Sequence, residues 1–172
     1  RIPVYLLALN TGMRAGEIFG LKWESVDLEN RVLTVQRQFC QKSHRIRETT
    51  KGKRNREIGL NDVLFNLLID LRKSAKTEFV INSKDVGLGC PSHLCRKFRQ
   101  DCKRADVREI RFHDLRHTFA TSFIGANGNM RVLGGILGHR TPAMTERYAH
   151  FDREHAKEAA NLVSFGVPKQ DN

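Results

Sequence analysis

The sequence predicts a mainly helical α+β domain with a small antiparallel sheet of three strands. Apolar side chains recur at helical spacing in several stretches, as at Val63, Leu67 and Leu71, so each of these helices would turn one face to a core. Residues 31–37 alternate in the way that is typical of a strand. A chain of 172 residues with 40% hydrophobic composition is long enough to bury one such core.

The N-terminal half is predicted to contain three helices. The first two cover residues 2–10 and 14–23, and a glycine between them interrupts the helical pattern. The third covers residues 61–75 and begins at Asn61, whose side chain is a preferred N-cap. Residues 78–82 form a short apolar stretch, for which an edge strand and a buried connection are both open.

The predicted sheet lies between the second and third of these helices. Its strands are expected at residues 31–37, 45–50 and 56–60, after a turn at residues 26–30. The last two strands would flank a basic hairpin tip at residues 51–55. Taken alone, a run of lysine and arginine of this kind is usually a solvated turn.

Helices also dominate the predicted C-terminal half. They are expected at residues 92–105, from His113 onward, at residues 130–137, from Pro142 through Tyr148, and at residues 152–163. The helix at residues 130–137 ends at Gly138, the residue type that most often terminates a helix. Thr141 and Pro142 supply a cap and a first helical residue for the segment that carries Tyr148.

The charge balance favours a polyanionic partner. The chain has 30 lysine and arginine residues against 19 aspartate and glutamate residues, a net charge of +11. Binding of phosphates by such a chain releases counterions, which favours association with nucleic acid. Charge by itself does not distinguish DNA, RNA and an anionic membrane surface. No run of about 18 apolar residues is present, so no membrane-spanning helix is predicted.

The cysteines indicate a reducing compartment. None of them forms a C-x-x-C pair, and we interpret them as reduced thiols of a cytosolic protein rather than as a zinc site or disulfides. They are Cys40, Cys90, Cys95 and Cys102. The chain begins without a methionine or a charged-then-apolar leader, so we expect no signal peptide and a fragment of a longer protein.

The stretch that is most informative about chemistry is a helix in which Leu115, Phe119 and Phe123 recur at intervals of four. His113 and Arg116 are three residues apart, so they would be neighbours on one face of that helix. A guanidinium matches two oxygens of a phosphate, and an imidazole can transfer protons near neutral pH. An ordinary capping histidine beside a surface arginine is the simpler alternative.

A metal site is a further alternative for the same helix. His113 and His117 have the spacing of the two histidines in the zinc motif H-E-x-x-H. Asp114 replaces the glutamate of that motif, and no third ligand is evident in the sequence. A metallohydrolase is therefore less favoured than phosphodiester chemistry without a metal.

Four separated segments carry arginines, histidines and a tyrosine suited to such chemistry. They are Thr11-Gly12-Met13-Arg14-Ala15-Gly16-Glu17-Ile18, His113-Asp114-Leu115-Arg116, Leu137-Gly138-His139 and Thr145-Glu146-Arg147-Tyr148. In residue type, order and spacing they resemble the active-site signature of the tyrosine recombinases, the phage integrase family. The basic segment Thr50-Lys51-Gly52-Lys53 resembles the hairpin in which that family places a catalytic lysine.

This resemblance implies a tyrosine recombinase catalytic-domain fold over residues 1–163, followed by a C-terminal tail at residues 164–172. An N-terminal DNA-binding domain would lie outside this chain. The implied function is site-specific recombination or integration, in which DNA strands are cut and rejoined through a covalent 3′-phosphotyrosyl intermediate. The implied partners are double-stranded DNA and further copies of the protein, as a tetrameric synapse on DNA with a monomer possible for the fragment. No cofactor, metal or membrane is implied, and the expected location is the bacterial cytoplasm or nucleoid.

The resemblance also implies which residues bind the scissile phosphate. Arg14 and Arg116 would bind its non-bridging oxygens and stabilise the charge of the transition state. His139 would donate a further hydrogen bond to the same phosphate. Glu17 would support the site without contacting the phosphate itself. The alternative for this motif is a simple surface ion pair between Arg14 and Glu17.

The remaining implied roles concern the transferred protons. Tyr148 would be the nucleophile, and His113 would help to deprotonate it. Lys51 would protonate the leaving oxygen, or Lys53 would do so if the register of the hairpin differs by two. A type IB topoisomerase uses the same chemistry without a partner strand, and a catalytically silent DNA-binding module would keep the fold alone, so both are alternatives.

Overall fold

The computed structural model describes residues 1–43, 45–48, 55–82 and 91–149. The helices in these ranges are α1 (Ile2–Thr11), α2 (Ala15–Gly20), α3 (Asp62–Lys73), α4 (Pro91–Arg104), α5 (Asp114–Gly125), α6 (Met130–Leu137) and α7 (Ala143–Glu146). The strands are β1 (Val26–Asp27), β2 (Val32–Val35), β3 (Arg37–Cys40), β4 (Arg45–Glu48) and β5 (Arg56–Gly59). A 3₁₀ turn at Trp23–Ser25 precedes β1. The predicted α+β class, mainly helical, is confirmed.

Local sequence signals determine where several helices begin and end. Asn61 and Asn129 cap α3 and α6, because each side chain accepts a hydrogen bond from a backbone N–H of the first turn. Gly12 and Gly138 end α1 and α6 with φ of 63° and 65°, in the left-handed region that glycine adopts without strain. The helices predicted at residues 61–75 and 130–137 are confirmed as α3 and α6.

The three-stranded antiparallel sheet has the order β1-β2-β5, and Leu33 of β2 pairs with Val26 of β1 and Ile58 of β5. Two details of the predicted sheet were wrong. The turn expected at residues 26–30 contains β1. The strand expected at residues 45–50 is β4, and it pairs with β3 in a separate two-stranded ribbon.

The separate ribbon depends on close packing of β3 against α2. Cβ atoms added at Gly16 and Gly20 would lie 2.9 Å from the Phe39 carbonyl oxygen and the Gln38 Cα, respectively. The backbone of β3 therefore crosses α2 at two positions where only glycine fits. The strand predicted at residues 31–37 is therefore divided into β2 and β3, because β3 packs against α2. Alternation of polar and apolar residues along the chain does not show this contact.

Two hydrophobic clusters hold these elements together. The larger one joins the N-terminal helices, α4 and the sheet, and it includes the fully buried Leu7, Ile18 and Leu64. The smaller one lies between α5, α6 and the segment after α7, and consists of Ala120, Ile124, Leu133, Leu137 and Tyr148. Helices α1 and α5 pack against each other, so the first motif is brought to the C-terminal motifs.

The end of the second helix and the segment at residues 78–82 are the next two points of comparison with the predicted elements. The second helix is shorter than predicted, because α2 ends at Gly20. Residues 78–82 form a buried connection rather than a regular strand, with Val80 buried and one bridge between Phe79 and Lys22.

Some predicted features lie outside the residues that the structure describes. These are the tip of the basic hairpin with Lys51 and Lys53, the helix at residues 152–163, and the tail at residues 164–172. Among the described residues, no helix combines the length and the apolar composition that crossing a bilayer requires.

Candidate active site

Arg14 lies directly before α2, two residues after the turn at Gly12. Its backbone is extended, so Arg14 is the cap residue and stands outside the helical turns of α2. The side chain is 39% exposed, and its Nη1 donates a hydrogen bond to Glu17 Oε1 at 3.1 Å. Arg14 is therefore partly anchored by the protein and partly accessible to a ligand.

Glu17 is the buried carboxylate behind Arg14. It accepts a hydrogen bond from the Arg14 backbone N–H at 2.8 Å, which closes the first turn of α2. Arg56 of β5 donates to both of its oxygens, at 3.0 and 2.7 Å. Burial opposes the charge of Glu17, but the hydrogen bonds and charge of Arg56, together with Arg14, hold its pKa below the usual value. Glu17 is therefore an anion held between two arginines.

Arg116 connects the first and third motifs. Its side chain is buried in α5, and its Nη1 and Nη2 donate to the carbonyl oxygens of Gly12 and Leu137 at 2.7 and 2.6 Å. Burial lowers its pKa to about 10, and the nearby charge of Arg14 contributes to this shift. Arg116 thus remains a cation at neutral pH, and its two backbone contacts fix the plane of the guanidinium.

His139 follows Gly138 at the end of α6, as the sequence predicted. Its Nδ1 lies 2.7 Å from Thr145 Oγ1. Burial and, to a smaller extent, the charges of Arg116 and Arg14 together lower the pKa of His139 to about 4. The imidazole is therefore neutral at pH 7, and a neutral imidazole still carries one N–H that can donate to a phosphate.

Tyr148 lies in the turn after α7, since α7 ends at Glu146 and does not continue through two turns as predicted. Its side chain is buried in the smaller hydrophobic cluster. The phenol oxygen is 2.7 Å from Nδ1 of His117. Burial raises the pKa of Tyr148, and the positive charges of Arg147 and Arg116 offset part of this rise. The phenol is therefore held against an imidazole in a site of positive potential.

His113 lies immediately before α5 and is exposed on one side. Its ring packs edge-on against that of His117, with 5.4 Å between centroids. Partial burial lowers its pKa, and the charges of His117 and Arg116 act in the same direction. The hydrogen bond of the Tyr148 phenol is with His117, whereas the family resemblance implied His113 as the proton acceptor. The i, i+4 spacing of the two histidines was the signal that could have indicated His117.

The structure brings five of the six predicted site residues into one cluster. The charges of Arg14 and Arg56 lower the pKa of Arg116, and the charges of Arg14 and Arg116 lower the pKa values of both His113 and His139. The charge of Arg116 also acts on the pKa of Tyr148. The sixth, Lys51, lies outside the described residues. The clustered residues are Arg14, His113, Arg116, His139 and Tyr148. Arg14 and Arg56 donate hydrogen bonds to the carboxylate of Glu17, and the Glu17 charge also acts on the nearby Arg116. Three guanidinium groups thus lie near one carboxylate, and this excess of positive charge suits the cluster to binding a phosphate.

His113 and His117, which have the spacing of a zinc motif, are not surrounded by further metal ligands among the described residues. In the described part of the chain, no group of three or more histidine, cysteine, aspartate or glutamate residues has an arrangement that could hold a metal ion. His117 Nδ1 is in contact with the Tyr148 phenol. The carboxylate of Asp114 pairs with Arg111 on the surface at 2.9 Å.

Comparison with known sequences gives matches over nearly the whole chain. Residues 3–155 match the phage integrase family. The integrase of Salmonella phage P22 is 28% identical to this chain, with 96% of this chain and 44% of that protein aligned. A XerC-like tyrosine recombinase of Caldanaerobacter subterraneus subsp. tengcongensis is 27% identical, with 97% and 46% aligned. The chain thus spans less than half the length of these curated relatives.

Comparison with solved structures gives the same fold. The Tn1549 transposon integrase, in complex with a circular intermediate DNA, superposes with a TM-score of 0.78 at 22% identity, covering 94% of this chain and 58% of that chain. The catalytic domain of bacteriophage HP1 integrase superposes with a TM-score of 0.62 at 28% identity, covering 98% of this chain and 84% of that domain.

Proposed function

Because the chain belongs to the phage integrase family, we propose that it is the catalytic part of a site-specific recombinase that cuts and rejoins double-stranded DNA through a covalent 3′-phosphotyrosyl intermediate. The observation that carries the proposal is that the buried phenol of Tyr148 and the buried guanidinium of Arg116 belong to one cluster. A nucleophile and a cation that can stabilise the reacting phosphate are thereby held together.

Phosphate binding is the first step of the proposed reaction. Arg14 offers a partly exposed guanidinium, and Arg116 a buried one that its two carbonyl contacts hold in place. Two guanidinium groups can bind the non-bridging oxygens and stabilise the additional negative charge of the pentacoordinate transition state. His139 adds one neutral N–H donor to the same phosphate.

Transesterification is the second step. The Tyr148 oxygen forms a bond to phosphorus while the bond from phosphorus to the 5′ oxygen breaks, and the phenol proton passes to Nδ1 of His117, the group in contact with it. The leaving 5′ oxygen takes a proton, for which we keep Lys51 as the donor. In the reverse step a 5′-hydroxyl of another strand attacks the phosphotyrosine, so the energy of the phosphodiester is retained.

The proposed partners follow from charge and from the relatives. The net charge of +11 favours a polyanion, and the Tn1549 integrase has been solved in complex with DNA. Exchange of strands between two duplexes requires several active sites, so we propose that copies of the protein assemble on DNA as a synapse, with four as the expected number. The expected location is the bacterial cytoplasm, where the DNA is.

The experiment that tests the function traps the covalent intermediate. The 172-residue chain is incubated with a library of nicked duplexes whose core sequence is randomised. Cleavage next to the nick releases a short 5′-hydroxyl fragment, so the protein–DNA adduct accumulates and is recovered under denaturing conditions. We expect an adduct for the wild-type chain and none for Tyr148→Phe, which should still bind DNA without a covalent bond. Failure of the wild-type chain to form an adduct, or an adduct in Tyr148→Phe, would overturn the proposal.

A further inference from the structure

Arg56 is a largely buried arginine for which the sequence predicted no role in the site. It is the first residue of β5, and its side chain is only 12% exposed. Its Nη1 and Nη2 donate to the two carboxylate oxygens of Glu17, at 3.0 and 2.7 Å, and the Glu17 side chain is 4% exposed. A bidentate pair of this kind, shielded from water, holds both side chains in one geometry.

Arg56 also contacts the segment that leads to His139. Its Nε donates to the carbonyl oxygen of Ile136 at 2.6 Å, in the last turn of α6. A Cβ atom added at Gly138 would lie 3.2 Å from Nη1 of Arg56, so the guanidinium lies against the backbone of the residue that precedes His139. The same side chain therefore joins β5, the beginning of α2 and the end of α6.

The Glu17 carboxylate is the point at which Arg56 and Arg14 compete. Oε1 of Glu17 accepts from Nη1 of both arginines, at 3.0 Å from Arg56 and 3.1 Å from Arg14. Oε2 is taken by Arg56 and by the Arg14 backbone N–H. Because Arg56 occupies both oxygens, Arg14 makes a single side-chain contact with Glu17 and remains 39% exposed.

We propose that Arg56 is a positioning residue, which by holding both oxygens of Glu17 keeps the guanidinium of Arg14 available to a phosphate. Without Arg56, the buried Glu17 would be left with Arg14 as its cation. A buried carboxylate strongly favours a close bidentate partner, so Arg14 would turn onto Glu17 and away from its ligand. The involvement of DNA phosphate in this inference rests on the proposed function, whereas the competition between the two arginines does not.

The test compares Arg56→Gln with the double variant Glu17→Gln/Arg56→Gln. Arg56→Gln leaves the competing carboxylate in place, whereas the double variant removes it and also removes the uncompensated buried charge that would destabilise the single variant. Arg31→Gln is the matched control, because Arg31 forms an exposed pair with Asp62 at 2.6 Å and its loss changes the net charge equally. Thermal unfolding measures how far each variant is destabilised.

Two readouts are measured on the same proteins. Inorganic phosphate is titrated while the Arg14 guanidinium resonances are followed by NMR, and adduct formation is measured with the nicked duplex library. We expect Arg56→Gln to bind phosphate at Arg14 about tenfold more weakly or worse, and the double variant to recover most of this loss in both readouts. Arg31→Gln should match the wild type at Arg14.

The outcomes separate this inference from the proposed function. If the double variant binds phosphate no better than Arg56→Gln, or both variants lose binding only in proportion to their loss of thermal stability, Arg56 has a merely structural role and the inference is wrong. If the phosphate titration gives the expected recovery but the wild-type chain forms no DNA adduct, the proposed function fails and the positioning role of Arg56 stands.

Discussion

The phenol oxygen of Tyr148 lies 2.7 Å from Nδ1 of His117, across 31 residues of sequence. His117 immediately follows Arg116, so one turn of α5 presents a buried cation and a proton acceptor to the same region. Because burial raises the pKa of the phenol, Tyr148 needs both a base and positive charge to become a nucleophile at neutral pH. The contact explains how this site could supply them together.

Replacing His117 should therefore slow formation of the covalent adduct. For His117→Gln we expect a decrease of about 10²- to 10⁴-fold in the single-turnover rate, the usual contribution of a general base, with unchanged non-covalent binding. His113→Gln is the matched control, since the His113 ring packs on His117, whereas the hydrogen bond of the phenol is with His117. A larger loss for His113→Gln than for His117→Gln would return the proton-accepting role to His113.

The lysine that protonates the leaving oxygen should be revealed by changing the leaving group. A duplex with sulfur in place of the bridging 5′ oxygen releases a thiolate, whose conjugate acid has a pKa of about 8.5 and which leaves without a proton donor. We expect Lys51→Ala to cleave the ordinary duplex slowly and the sulfur duplex at nearly the wild-type rate. Lys53→Ala should cleave both duplexes at close to the wild-type rate. If Lys53→Ala is instead the variant that is slow on the ordinary duplex and restored by the sulfur duplex, Lys53 is the proton donor.

Arg116 should contribute to folding as well as to chemistry. Arg116→Lys cannot satisfy the carbonyls of Gly12 and Leu137 together, and a buried carbonyl without a partner costs about 1–3 kcal/mol. Urea denaturation should therefore show a loss of that size in the free energy of unfolding. Arg14→Lys is the comparison, because Arg14 is 39% exposed, donates one side-chain hydrogen bond to Glu17 and leaves no buried carbonyl without a partner when it is replaced. Equal stability of the two variants would contradict the stabilising role of the two hydrogen bonds that Arg116 donates to backbone carbonyls.

Gly12 should tolerate no side chain. A Cβ atom there would lie 2.6 Å from Leu137 Cδ2 and 2.7 Å from Phe119 Cδ1, and the φ of +63° is unfavourable for alanine. We expect Gly12→Ala to lower the free energy of unfolding by roughly 1–3 kcal/mol. In Gly135→Ala the added Cβ meets no atom within 4 Å in the middle of α6, so a gain of about 0.5–1 kcal/mol is expected. Urea denaturation of both variants tests this contrast.

His139 should make the stability of the fold depend on pH. Its pKa is about 4 in the folded chain and 6.5 ordinarily, so between these values the unfolded chain binds more protons. The free energy of unfolding therefore carries the full contribution of His139 above pH 6.5 and loses it as the pH falls to 4. The slope of stability against pH in this window should be smaller in His139→Asn, and an identical slope in the variant and the wild type would contradict the assignment.

Many of the elements could be predicted because their signals are local. The cap at Asn61 and the glycine at position 138 act within one helical turn, so the start of α3 and the end of α6 lie where these residues predicted. The four motif segments were also visible, since they are defined by residue type and spacing along the chain. The pairing of β4 was missed, because it depends on how closely β3 approaches the glycines of α2.

By itself, the sequence determined the helical class of this protein, the limits of its capped helices and the residue types available for chemistry on a phosphate. Only the tertiary structure decided that Tyr148 is buried against His117, and that Arg56 shares Glu17 with Arg14. The physical reason is range. Caps and periodicity report the preferences of the backbone over a few residues, whereas Glu17 and Arg56 are 39 positions apart in the sequence and are brought together by packing of the whole core.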